Sequence, residues 1–221
     1  MILLVIFPAI IVVVASYECE GGKLTPTERK NIVTQINKYR SRLIRGKLKN
    51  KDGYLMPKGK NMLRMRWDCK LEKSAQNWAN MCVFGHSPSS ERRGIGENVY
   101  AYWSSGSVRD LKKTAGTDAG RLWWSELEKY YSDNPSNNLT SEVAMENILH
   151  FTQMAWGETY KLGSGVDHNI VMVARTLVFI CHYFPGGNMV KDLIYELGNP
   201  CKHNKDCRTK RCSAKSGLCK K

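Results

Sequence analysis

The sequence has no CxxC pair, no HExxH, and no serine in a recognised nucleophile motif. It also lacks internal repeats and low-complexity tracts. These gaps argue against a paired-cysteine zinc site, a zincin-type protease and a motif-bearing serine hydrolase. Apolar runs long enough to cross a bilayer are missing too. The run Ile2 to Ala15 has 14 residues, where a spanning helix needs roughly 20. That run carries no Lys or Arg before it, yet it ends in small residues, with Val14 and Ser16 at the −3 and −1 positions for cleavage before Tyr17. It reads as a secretory signal peptide over residues 1–16. Acidic residues are scarce as well: 20 Asp and Glu stand against 34 Lys and Arg, a net charge of +14.

What is present fits export. Eight cysteines, Cys19, Cys69, Cys82, Cys181, Cys201, Cys207, Cys212 and Cys219, all follow the leading apolar run. An even count in that position reads as a disulfide framework. Asn138-Leu139-Thr140 is a glycosylation sequon, while Asn134-Pro135-Ser136 is excluded by its proline. The expected location is therefore secreted and extracellular, with no membrane span.

Residues 17–198 are enough for one sizeable core. Residues 199–221 differ, with four cysteines, eight basic residues and almost no large apolar side chains. Such a tail cannot bury a core and needs disulfides to hold it. Its cysteines are expected to pair among themselves, in one of three arrangements. Charge is uneven along the chain. Residues 23–66 carry a net +12, the tail +7, and residues 67–198 a net −3. Such blocks suit anionic lipid, sulfated glycan or acidic protein surfaces in the extracellular space, and nucleic acid is not expected.

Thr25-Pro26-Thr27-Glu28 combines a capping box with proline at the first helical position. Ile32, Ile36, Tyr39 and Leu43 follow at helical spacing, and Gly46 is a natural stop. A second helix is expected from about Leu71, with Leu71, Ala75, Trp78 and Cys82 on one face. A third is expected over Ala119 to Tyr131, with Leu122, Trp123, Leu127 and Tyr130 apolar. Asn169 to Phe184 is rich in Val, Ile, Leu and Phe and reads as strands of a buried sheet. Helices first and strands last suggest an α+β layering on an antiparallel sheet.

Five histidines are present. His86 follows a helix end, and His150 opens the string HFTQMAW. His168, His182 and His203 are read as lying in a polar loop, a strand and the tail. Glu97 sits in GENVY after a glycine-rich turn, and Glu126 lies one turn after Trp123. A carboxylate beside a buried stripe needs a partner, or its pKa rises.

The strings CVFGHS, GENVY, HFTQMAW and LVFICHYFPGGNM occur in the order found in CAP proteins. These comprise cysteine-rich secretory proteins, antigen 5 allergens and pathogenesis-related class 1 proteins. The resemblance runs from about Leu24 to Leu197. The tail, Cys19 and the TQINKYRSRLIRGK segment are most similar to nematode venom allergen-like proteins. The resemblance implies a three-layer α–β–α sandwich with a small disulfide-rich tail. It implies a cleft formed by His86, Glu97, Glu126 and His150, with the imidazoles ligating a divalent cation, weakly, and the glutamates behind them. Zinc suits that donor set. It also implies binding of sterol or fatty acid, the sterol loop falling at about Tyr131 to Glu146. A role in host immunity, or action as an interaction module on host receptors or channels, follows from the same likeness. A metal-dependent hydrolase built on His86 and His150 is the enzymatic alternative; none of the expected motifs supports it.

Two positions depart from the family pattern. Leu149 precedes the second histidine, where relatives carry Gly or a charged residue. Ser164 stands where relatives read KLGC, and that cysteine is the family partner of Cys181. The four body cysteines are then expected to form two bonds, Cys181 joining Cys69 or Cys82 and Cys19 taking the other. The rival expectation leaves Cys181 as a buried thiol.

Overall fold

The computed structural model describes residues 17–105, 109–171 and 174–221. The expected signal peptide lies outside the described residues. Helix α1 covers Pro26–Ile44, with Thr25 as its cap; the Glu28 amide donates to Thr25 Oγ1, and Glu28 reaches back to the Thr25 amide. Strand β1 is Arg66–Trp67, and helix α2 is Cys69–Ala79, capped by Asp68. Strand β2 spans Gly96–Ser104, and helix α3 spans Arg109–Trp124. Short helices α4 (Glu126–Lys129), α5 (Ser141–Ala144) and α6 (Leu149–Ala155) follow. Strands β3 (Lys161–Val171) and β4 (Ala174–Phe184) form a long hairpin.

The sheet order is β1-β3-β4-β2. The three long strands are antiparallel, and the two-residue β1 adds a parallel edge, so the sheet is mixed. Its two faces follow from the pleat. Val99, Val178 and Ile180 face α2, meeting Ala75 and Ala79. Gly163 and Gly165 lie on that same face because α2 comes so close. A Cβ on Gly163 would overlap the Glu72 amide, and one on Gly165 the Gln76 backbone. Alternate residues Leu162, Val166, Phe179, Cys181 and Tyr183 enter the larger core with α1, α3 and α6. The three expected layers are thus α2, the sheet, and the group of α1, α3 and α6.

The single expected third helix is two. Helix α3 starts well before Ala119, and the chain breaks at Ser125 before α4. Trp123 and Leu127 are buried, whereas Leu122 and Tyr130 face solvent. The Ser125 hydroxyl donates to the Leu122 carbonyl, which competes with the helical ladder there. Cys82 also leaves its expected place on α2, because the helix ends at Ala79 and Cys82 adopts a positive φ of 51°.

The cysteine expectation needs correction. Cys19 bonds Cys69, but Cys181 and Cys82 are both free thiols. The pleat explains this. Cys181 alternates with Ile180 and His182, so its sulfur points away from the α2 face, while Cys82 follows α2 on the other side. A bond between them would have to pass through the sheet. Cys181 instead faces Ser164 across the β3–β4 pair, with Oγ and Sγ 2.7 Å apart. In the tail, Cys201 bonds Cys212 and Cys207 bonds Cys219. The tail carries a small hairpin, Cys212–Ser213 with Leu218–Cys219, and is stitched to the body: Leu63 pairs with Cys219, and the Arg64 amide donates to the Cys219 carbonyl.

Arg40 is fully buried in α1, and among the described residues no carboxylate lies within 4.0 Å of it. Its guanidinium donates to the carbonyls of Leu63, Met154, Trp156, Gly157 and Thr159. Burial lowers its pKa to about 9, opposed by the nearby Tyr183, so it remains charged at neutral pH.

Two outcomes are expected. Arg40→Met removes the shared donor of five carbonyls, of which Trp156 and Gly157 keep the Thr159 and Leu63 amides, and should cost about 3–5 kcal/mol, read as a lower guanidinium midpoint at unchanged m. Ser164→Cys should close the missing bond to Cys181. Titration of the denatured, unreduced protein then finds one thiol instead of two, and stability rises by roughly 3 kcal/mol for a loop of this length.

Candidate functional site

Glu97 and His182 face each other across β2 and β4. The Glu97 side chain is wholly buried, and both of its oxygens are occupied. Oε1 accepts from His86 Nδ1 at 2.8 Å and from the Ser87 amide at 2.9 Å. Oε2 accepts from Ser87 Oγ at 2.7 Å and from His182 Nε2 at 2.8 Å. Arg92 Nε stands 3.6 Å from Oε1. Burial alone would raise the Glu97 pKa. The hydrogen bonds from His182, His86 and Ser87 outweigh it and hold the carboxyl far below the usual range. An ionised carboxylate only accepts, so both imidazole nitrogens facing it carry protons.

Glu126 repeats the arrangement at the start of α4. Its Oε1 accepts from His150 Nδ1 at 2.6 Å, and its Oε2 accepts from the Phe151 amide at 2.9 Å. The His150 ring stacks on Trp123, with centroids 5.8 Å apart and planes 14° apart. The Trp123 indole nitrogen in turn donates to the Val99 carbonyl in β2. Asn98 Nδ2 donates to the His150 carbonyl at 3.1 Å. Consecutive residues of β2 therefore hold the two halves: Glu97 takes His86, and Asn98 takes the α6 backbone at His150.

Each of His86 and His150 thus commits Nδ1 to a carboxylate. The side chains remain partly exposed, at 57% and 37%. Nε2 is the nitrogen left for a ligand, and a proton fixed on Nδ1 leaves a lone pair on Nε2. Imidazole nitrogens of this kind are donors that a divalent cation can take. The glutamates do not act as direct ligands in this arrangement, since their oxygens already accept two to four bonds. Among the described residues, the one group of three potential ligand atoms within 4.8 Å of one another is Cys201, Cys207 and Cys212. Those sulfurs are tied up in disulfides, so the group is not a metal site.

Motif reading missed His182, Ser87, Asn98 and Trp123. His182 could be found only by placing β4 against β2, which puts it opposite Glu97. His168 and His203 lie elsewhere, exposed beside Asp167 and Asp206. Asn138 is partly exposed, forms a lone bridge with Leu193, and has its sequon threonine capping α5.

Residues 33–183 match the family described as CAP, cysteine-rich secretory protein family. The chain belongs to the CAP family. It is 37% identical to the Ancylostoma secreted protein of Ancylostoma caninum over 89% of this chain and 45% of that protein. It is 31% identical to a cysteine-rich venom protein of Tityus serrulatus over 90% of this chain and 48% of that one. The chain thus spans about half the length of these curated relatives. The crystal structure of NaASP2 with Zn2+ aligns over 91% of this chain and all of that one, at 33% identity and a TM-score of 0.79. The structure of BmVAL-1 aligns over 92% of this CAP chain and 98% of that one, at 65% identity and a TM-score of 0.90. Among the described residues, no helix is long and apolar enough to cross a membrane.

Glu97 gives a signed pH prediction. Its depressed pKa stabilises the fold above the ordinary carboxylate value, about 4.3, and that stabilisation is lost as pH falls further toward the folded value. Glu97→Gln should be less stable than the parent at pH 7, because an amide brings a donor among four donors. The gap should shrink as pH drops below about 4, measured by urea midpoints across pH.

Proposed function

We propose that this CAP chain is an exported binding protein whose cleft takes a divalent cation, zinc by preference, through Nε2 of His86 and His150. The observation that carries this reading is the pair of imidazoles, each with Nδ1 bound to its own carboxylate. That arrangement fixes the ring tautomer and keeps Nε2 basic. Two protein ligands make a weak site, and protonation of the imidazoles competes with the metal. The NaASP2 crystal structure with Zn2+ supports the choice of metal.

The cleft is a binding site and not a catalytic one in this reading. Ser87 donates its hydroxyl to Glu97, so no imidazole is placed to activate it. Glu97 and Glu126 are engaged by donors and poorly suited to serve as a general base. Sterol or fatty acid as a further ligand rests on the family likeness. In the loop over residues 131–146, Tyr131 and Leu139 are buried in the core, which leaves Met145, 83% exposed, together with Leu149 as apolar contact. Export, with glycosylation at Asn138, agrees with the three disulfides and with the secreted and venom proteins among the relatives.

Isothermal titration with Zn2+ tests the cleft. His86→Ala or His150→Ala should abolish measurable binding at neutral pH. Glu97→Gln and Glu126→Gln should weaken it about 10–100-fold, as loss of an orienting carboxylate does elsewhere. Acidifying to about pH 5.5 should weaken the parent. Unchanged affinity in both histidine variants would end the proposal.

A further inference from the structure

The two basic blocks of the sequence, residues 23–66 and 199–221, meet in space. The tail lies against the C-terminal end of α1. Ser41 Oγ donates to the Ser216 carbonyl, and Arg45 Nη2 donates to the Lys215 carbonyl at 3.0 Å. At this junction a groove of about 750 Å3 opens. Arg45, Lys47 and Lys58 line it from the body, and Lys202 and His203 from the tail, with Asp206 the acid among its lining residues.

The charges in this groove are not neutralised from within. Among the described residues, Arg45, Lys47, Lys58 and Lys202 have no carboxylate within 4.0 Å; Arg45 is held only by carbonyls and the Ser41 hydroxyl. Asp206 is engaged by the Lys202 and His203 amides, each at 2.8 Å, and lies 3.7 Å from His203 Nδ1. The walls are also fixed. Cys201 and Cys207 fasten the tail side through their disulfides. Gly46, at a φ of 65°, leaves room for the Lys58 stem, since a Cβ there would press on Lys58 Cγ at 3.3 Å. Gly217 lets the tail close onto Pro200 and Arg45 in the same manner.

We infer that this groove is a binding site for a sulfated polysaccharide. Its cations, Arg45, Lys47, Lys58 and Lys202, come from separate chain segments and carry no carboxylate partner among the described residues, which suits a polymer with repeated charges more than a single anion. A bilayer surface fits poorly. The groove is concave, and its lining contains no large apolar side chain that could enter lipid. The site is separate from the His86–His150 cleft and does not depend on the reading given to it.

The test uses the folded, disulfide-intact chain and a heparin dodecasaccharide at about 0.15 M salt. A groove variant, Lys47→Gln with Lys58→Gln and Lys202→Gln, is compared with a control of equal charge change, Lys30→Gln with Lys73→Gln and Lys129→Gln. All six side chains are exposed, so both variants should fold, and circular dichroism confirms it. The groove variant should bind at least about tenfold more weakly, with a shallower salt dependence, while the control changes by about twofold or less. Equal losses in both variants, or no parent binding, would overturn the inference. Vesicles containing phosphatidylserine form the second arm. Binding to them with the same groove dependence would overturn it in favour of a membrane surface.

Discussion

A single buried guanidinium sets the geometry on which the rest of the molecule depends. Arg40 carries its charge into the core, where among the described residues no acid meets it, and is satisfied by five backbone carbonyls. Those carbonyls belong to the segment before β1, to the end of α6 and to the turn that enters β3. The Trp156 and Gly157 carbonyls also accept the Thr159 and Leu63 amides, and a buried carbonyl left without any donor would be costly. Arg40 thereby ties two loops and the end of α6 together inside the protein and joins α1 to both the helix and the sheet. The position of α6, and with it His150, is fixed through Met154 and Trp156.

The two histidine–glutamate pairs rely on the same economy of strands and carbonyls. Strand β2 projects Glu97 toward His86, just beyond α2, and Asn98 toward α6, because neighbouring residues in a strand point to opposite faces. One short segment therefore steadies both imidazoles. The carboxylate that orients His86 is itself gripped by His182 and Ser87, so its charge persists in a buried setting where it would otherwise be costly. A slip of one residue in the pairing of β2 with β4 would separate Glu97 from His182 and exchange the two faces.

Local chemistry made some of this legible in the sequence and hid the rest. The capping box at Thr25 and the period of Ile32, Ile36 and Leu43 described α1 almost to its ends, because those signals are local. The motifs carrying His86, Glu97, Glu126 and His150 likewise identified residues that the fold brings together in two pairs. Register escaped such reading. Neither the partnership of His182 with Glu97 nor the side of the sheet on which Cys181 lies follows from spacing, and the second of these led to the wrong disulfide expectation. The break at Ser125 was invisible for a different reason. The residues on either side keep helical periodicity, while a side-chain hydroxyl takes a carbonyl from the ladder.

The attachment of the tail has a consequence for how the chain comes into being. Gly59 and Leu63 are paired with Leu197 and Cys219, which emerge from the ribosome roughly 150 residues later. Throughout that interval the Lys60 and Arg64 amides lack their final acceptors, the carbonyls of Glu196 and Cys219. The Met62 carbonyl likewise waits for the Cys219 amide. Until those residues are made, the segment beside α1 presents an open backbone edge. The tail disulfides join only tail residues to one another, so the cover over that edge is held to the body by backbone hydrogen bonds rather than by a covalent link.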